Sequence, residues 1–290
     1  MARLLNANYA RMFNGKLFYL CAALAVILGA LEIIPHYSDM EDLNPETFLF
    51  NESGFFIQII TAVLVGIFVG EEHSGVLRNK IIVGQKRLSV YLSDLITCSA
   101  SIVIIHILHF GSILASVVLL GGKIEVSAGV IAVYELLQLT SLLGVCALFT
   151  AAAMIIPKKY AGTVAALTII IGLYYIYYPT SERLKQLDDK YYFDSVKELG
   201  ITEEELAENE FLYNTFKITD AELAERHFLR FAMDILPFGQ EEQIRRGFNS
   251  EVQKVNPPVP VPAEIALYSL GTVAVTTAVG VLVFRKKDIK

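Results

Sequence analysis

Six stretches of the chain are long and apolar enough to cross a lipid bilayer: approximately 17–35, 54–70, 93–120, 127–156, 161–178 and 264–284. A helix rising 1.5 Å per residue needs about 20 apolar residues to span roughly 30 Å of hydrocarbon. In lipid every backbone N–H and C=O must find its partner within the chain, which leaves helices or a closed barrel as the possible spans. Continuous apolar runs of this length, without alternation, select helices. Composition agrees: 54% of the 290 residues are hydrophobic and only 19% are charged, with a mean hydropathy of +0.51. The expected fold is therefore all-α, a polytopic membrane protein with six transmembrane helices. The first run begins near Lys16 and exceeds a signal-peptide core, so it is read as a true span.

Charge sets the expected orientation. The segments 1–16, 71–90, 157–160 and 285–290 carry thirteen lysines and arginines between them. The intervening short loops carry none in 36–53 and only Lys123 in 121–126. Because cytoplasmic loops are enriched in Lys and Arg, both termini are expected in the cytoplasm. The connection 179–263 then lies outside. It holds 17 acidic and 10 basic residues and is the one segment able to form a helical extracellular region. Thr202-Glu203-Glu204-Glu205 and Thr219-Asp220-Ala221-Glu222 both match the S/T-x-x-E capping box. Leu223, Phe228, Phe231 and Ile235 follow the second at helical spacing. Asn256 to Pro262 reads as a stiff, extended connector. Three units result: 1–178 with spans 1–5, the outer region 179–263, and 264–290 with span 6 and a basic tail.

The most informative segment is the inner loop Gly70 to Tyr91, GEEHSGVLRNKIIVGQKRLSVY. Ser74 is placed to cap a helix, and Val76, Leu77, Ile81 and Ile82 fall at helical spacing with Arg78 and Lys80 among them. Gly84 is a stop signal. A short amphipathic helix over about 74–83 is expected along the membrane face. From composition alone it could rest on lipid headgroups or dock on a partner protein.

The string E-E-x-x-S-G-x-L-R-N-K-x-x-x-G, followed by basic residues and Y-L-S-x-L-I, resembles the corresponding loop of ABC-2-type permeases, the membrane subunits of a class of ABC transporters. The matching positions are Glu72, Ser74, Gly75, Leu77, Arg78, Asn79, Lys80, Gly84, Tyr91 and Ser93. Asp94 departs from the resemblance, since many relatives carry lysine there, and this leaves its local charge partner open. The segment Leu4 to Phe13 resembles the family's elbow helix, and Leu236 to Gln240, L-P-F-G-Q, resembles a feature of members with a long outer loop. The resemblance implies a coupling helix that docks on the ATPase, involving Glu72, Ser74, Gly75, Leu77, Arg78, Asn79, Lys80 and Ile81. It also implies a second permease subunit, identical or homologous, and two ABC ATPase subunits. Export of a peptide or other amphipathic cargo across a bacterial plasma membrane follows as an expectation.

Other chemistry is absent from the sequence. There is no G-x-x-x-x-G-K-[ST] loop, so no cofactor is expected on this chain, and ATP and Mg belong on the partner ATPase. No hydrolase motif, metal-ligand spacing or nucleic-acid signature occurs, and an enzymatic role is not expected. Cys21, Cys98 and Cys146 all lie in apolar runs as packing residues. Ionisable residues within spans are costly there and so are candidate transport-path groups: His106, His109, Glu135 and Gln138. Two readings stay open for them, a substrate or proton path and plain interhelical hydrogen bonding. A membrane sensor with a peptide-binding outer region, or an ion-coupled transporter, are the rival functional classes.

Overall fold

The computed structural model describes residues 1–33, 49–50, 53–73, 75–120, 124, 126–156, 158, 160–196, 218–253 and 262–286. Among these residues all regular structure is helical. In chain order the helices are α1 (Ala2–Phe13), α2 (Lys16–Ile33), α3 (Ser53–Glu72), α4 (Val76–Ile82), α5 (Arg87–Leu119), α6 (Ala128–Ile155), α7 (Ala161–Val196), α8 (Asp220–Ile235), α9 (Pro237–Gln253) and α10 (Pro262–Lys286). The first candidate capping box, Ser74 and the connector 256–261 lie outside the described residues.

Five helices, α3, α5, α6, α7 and α10, are long and apolar enough to cross a membrane. A sixth span arises if α1 and α2, bent by 60° at their junction, are taken as one. The bend makes α1 an arm on the bundle. Its Leu4, Asn8 and Met12 are buried at i, i+4 and i+8, a single helical face. The opposite happens on α2, where Leu20, Leu24, Ile27 and Leu31 are all exposed. These side chains form a continuous stripe suited to lipid.

Within the bundle α10 packs along α6, α2 along α5, and α3 against both α6 and α7. The main core joins Leu64, Val65, Phe68, Tyr91, Ile102, Phe149 and Phe284. A second cluster, including Phe50, Ile113, Tyr134, Ile244 and Phe248, ties α5 and α6 to α9. Close helix approach needs small residues. At Gly66 a Cβ would run into the Thr163 backbone on α7.

The sequence boundary at 178/179 falls inside α7, which runs on through Pro179 to Val196. At 1.5 Å per residue this helix is about 54 Å long, well beyond the bilayer's hydrocarbon. Its projecting end binds α8 through three ion pairs: Arg183 with Glu225 (2.9 Å), Lys190 with Glu222 (2.6 Å) and Asp188 with Arg226 (2.7 Å). The expected capping box at the start of α8 is present. Thr219 Oγ1 accepts from the Glu222 N–H (3.2 Å), and the Glu222 carboxylate accepts from the Thr219 N–H (3.0 Å). The apolar spacing on α8 leads elsewhere than expected. Phe228, Phe231 and Ile235 are exposed, and the buried positions are Arg226 and Met233. Arg226 lies over the Tyr191 ring (4.0 Å) besides pairing with Asp188, and that is what draws it inward.

Candidate functional site

Between α3 and α5 the chain makes two sharp turns around α4. Gly75 sits at φ +114°, a left-handed conformation that strains any residue with a Cβ, and it takes the N-cap position expected of Ser74. Gly84 sits at φ +88° just past the helix end. The Gly84 N–H bonds the Ile81 carbonyl (2.9 Å) and the Gln85 N–H bonds the Lys80 carbonyl (3.1 Å). This is a Schellman closure, the reason a glycine ends the helix there. The helix is therefore Val76–Ile82, tighter than the 74–83 expected.

Its two faces differ sharply. Leu77 is buried, and the Lys80 side chain is only 12% exposed. Arg78, Asn79, Val76, Ile82 and Val83 face outward, the last two at 70% and 77% exposure. Ile81 packs partly buried against the core. Of the residues expected to act together at this loop, Glu72, Leu77 and Lys80 turn inward, while Arg78 and Asn79 remain accessible.

Lys80 enters a buried polar network drawn from four helices. Its ammonium bonds Glu72 Oε1 at the end of α3 and Asn8 Oδ1 on α1 (3.1 Å), and lies 3.6 Å from Asp94 Oδ1 on α5. Asn8 Nδ2 donates to Asp94 Oδ1 and lies 3.1 Å from Ser93 Oγ. Arg11 on α1 pairs with Glu72 (2.8 Å), stacks on the Phe68 ring (3.9 Å) and reaches the Phe68 carbonyl (3.4 Å). Glu72 and Asp94 are fully buried and Asn8 nearly so. Two acidic and two basic side chains meet there, an arrangement that limits the desolvation cost of burying polar groups. Asp94, the departure from the family resemblance, thus finds its charge partner in Lys80. Asn8 and Arg11 were not singled out from the sequence. The signal was an arginine and an asparagine spaced three apart on an otherwise apolar helical face.

The other candidate groups lie farther along the spans. His106 and His109 are both buried on α5 but serve different neighbours. His106 Nε2 approaches Glu135 of α6 (2.9 Å), and His109 Nε2 approaches Glu32 of α2 (3.7 Å). Gln138 belongs to a cavity of about 480 Å³ bordered by α3, α6, α7 and α9. No group of three or more metal-ligating side chains occurs among the described residues.

Glu241, on the wall of that cavity, belongs to a pair not anticipated from sequence. Gln58 of α3 is fully buried and its Nε2 donates to Glu241 Oε1 of α9 (2.6 Å). A Cβ at Gly54 would collide with the Glu241 carboxylate, so the glycine makes room for it. Burial pushes the Glu241 carboxyl up to about 7, the Gln58 hydrogen bond opposing this in part. The L-P-F-G-Q string builds the approach. Phe238 packs on Phe55, Tyr174 and Tyr177. At Gly239 any Cβ would strike the Met233 carbonyl. Gln240 Nε2 donates to the Asp234 carbonyl (2.8 Å), while its Oε1 accepts from Ser269 Oγ on α10 (2.9 Å).

Compared with known proteins, the chain matches no protein-family model and no curated sequence.

Proposed function

We propose that the chain is the membrane-spanning subunit of an ABC-2-type transporter, driven by a separate ATPase. The observation that carries this reading is the division of α4. One face, Val76, Arg78, Asn79, Ile82 and Val83, is accessible to a partner. The other, Leu77 and Lys80, is tied into α1, α3 and α5. A load applied to α4 therefore reaches the ends of two long apolar helices and the amphipathic arm together, through charge pairs that resist separation in a dry interior. A solitary loop lying on headgroups has no need of such an anchor.

In this reading α2, α3, α5, α6, α7 and α10 are six spans, with both termini cytoplasmic in a bacterial plasma membrane. The α7 extension with α8 and α9 stands outside. Two permease subunits, identical or homologous, sit above two ATPase subunits that bind ATP and Mg. ATP-driven closure of the ATPases moves α4 and reorients the spans, and an amphipathic molecule such as a peptide is exported. This chain performs no covalent step.

The test is co-expression with candidate P-loop ATPases from the source genome, scored by co-purification with this chain. Arg78→Glu combined with Ile82→Asp alters only the accessible face. Loss of ATPase co-purification and of ATP-dependent transport, with an unchanged melting temperature, is the expected result. Unchanged association and transport would overturn the proposal. The pairs His106–Glu135 and His109–Glu32 favour a second reading, ion-coupled transport. Transport by the reconstituted chain on a proton gradient without ATP is the result that selects it.

A further inference from the structure

The cavity beside α9 carries a recognition chemistry distinct from the α4 network. Its aromatic wall is Phe55, Tyr174, Tyr177 and Phe238, with Phe238 within 5.9 Å, centroid to centroid, of each of the other three rings. The charged side chains on it are Glu241, Glu242 and Arg245. Glu242 is paired with both Arg245 (Nε, 3.0 Å) and Arg246 (Nε, 2.6 Å). Glu241 has no cation partner among the described residues, and its hydrogen bond is to the neutral Gln58 amide. Burial raises its titration to about 7, and the Gln58 hydrogen bond offsets this only in part.

Ring faces carry negative quadrupole density and attract cations, most strongly where water is scarce. A carboxylate beside them adds a charge-assisted partner. An anion is repelled by both. A neutral apolar guest would leave the Glu241 charge unpaired in a drier site. The volume, about 480 Å³, falls within the range of small-molecule pockets. We infer that this cavity binds an organic cation, an ammonium group on an apolar body, with Glu241 as its counter-ion and Phe55, Tyr174, Tyr177 and Phe238 as its aromatic wall. Gln58 orients the carboxylate and Gly54 gives it room. Gln138 also lines the cavity.

The test is calorimetric titration of the purified full chain in neutral detergent at about pH 8, above the Glu241 titration. Hexyltrimethylammonium is the probe, with hexan-1-ol and hexanoate as neutral and anionic counterparts of the same chain length. Saturable binding of the cation is expected, not displaced by the alcohol or the acid. Glu241→Gln should weaken it about ten-fold or more, as loss of a buried counter-ion does. Glu241→Asp should recover part of that loss, and Tyr174→Leu should weaken binding several-fold. Equal affinity in Glu241→Gln, equal competition by hexan-1-ol, or non-saturable uptake that tracks the detergent would overturn the inference. Should Glu241→Gln not fold, Tyr174→Leu decides alone, since the Tyr174 ring is 40% exposed and its truncation leaves the carboxylate in place. The measurement uses the chain without an ATPase, so failure of subunit association leaves its outcome independent.

Discussion

Lys80 is the residue on which the most depends. It is the cation nearest to both Glu72 and Asp94, and both carboxylates are fully buried. Replacing it with methionine keeps the stem and deletes the charge. Breaking a buried pair in this way typically costs 3–5 kcal/mol, so Lys80→Met should lower the melting temperature markedly in detergent. Lys80→Met with Asp94→Asn should recover part of the loss, because one orphaned charge is then removed. Full additivity of the two losses would argue against the network. Leu77, buried beside it, is a poor place to probe partner docking, because Leu77→Asp would damage folding first. A second residue-scale effect concerns Glu241. Its folded-state titration, about 7, lies above the ordinary 4.5. Between those values the folded chain holds a proton that the unfolded chain has released. Its contribution to stability is therefore full below about pH 4.5 and declines as pH rises toward 7. Thermal melts from pH 4.5 to 7.5 should show this decline reduced in Glu241→Gln.

At the scale of elements, α8 and the far end of α7 form a unit in which three ion pairs accompany the buried Leu184, Leu187 and Met233. Glu222 is central to this contact, paired with Lys190 and capped to Thr219, and these bonds pull its titration down to about 2. The depressed carboxylate contributes stability above about pH 4.5 and loses it as pH falls toward 2. Hydrogen exchange of α8 amides should accelerate on acidification through that window, before the bundle opens. Thr219→Ala removes the cap and should cost about 1 kcal/mol of local stability, read by the same exchange. The tyrosines of α7 are likewise split by packing. Tyr174 and Tyr177 turn in onto Phe238, while Tyr175 and Tyr178 face outward, at 76% and 57% exposure. The outward pair suits an interfacial belt; the inward pair builds the cavity wall. Sequence spacing could not separate them, because all four fall within five consecutive residues in the middle of α7.

For the whole molecule, the proposed topology makes a direct prediction. Cys21, Cys98 and Cys146 are free and buried, which gives a quiet background for thiol labelling. Val83→Cys and Phe228→Cys occupy well-exposed positions, at 77% and 67%. A membrane-impermeant maleimide applied to intact cells should label the cysteine at 228 and reach that at 83 only after permeabilisation. Labelling of both from one side would sink the proposed orientation.

The sequence by itself determined that the chain is helical and belongs in a membrane. Apolar runs of this length leave the backbone no other way to satisfy its hydrogen bonds in lipid. It also marked the end of α4 through Gly84, and the start of α8 through Thr219 and Glu222, because local dihedrals and caps are set by neighbouring residues. Tertiary structure alone decided which polar groups meet. Asn8 lies 86 residues from Asp94, and Gln58 lies 183 from Glu241. On helices that are apolar all round, periodicity does not say which stripe faces lipid and which faces a neighbour. Only the packing of the bundle turned Lys80 inward onto two carboxylates and left Glu241, among the described residues, without a cation beside four aromatic rings.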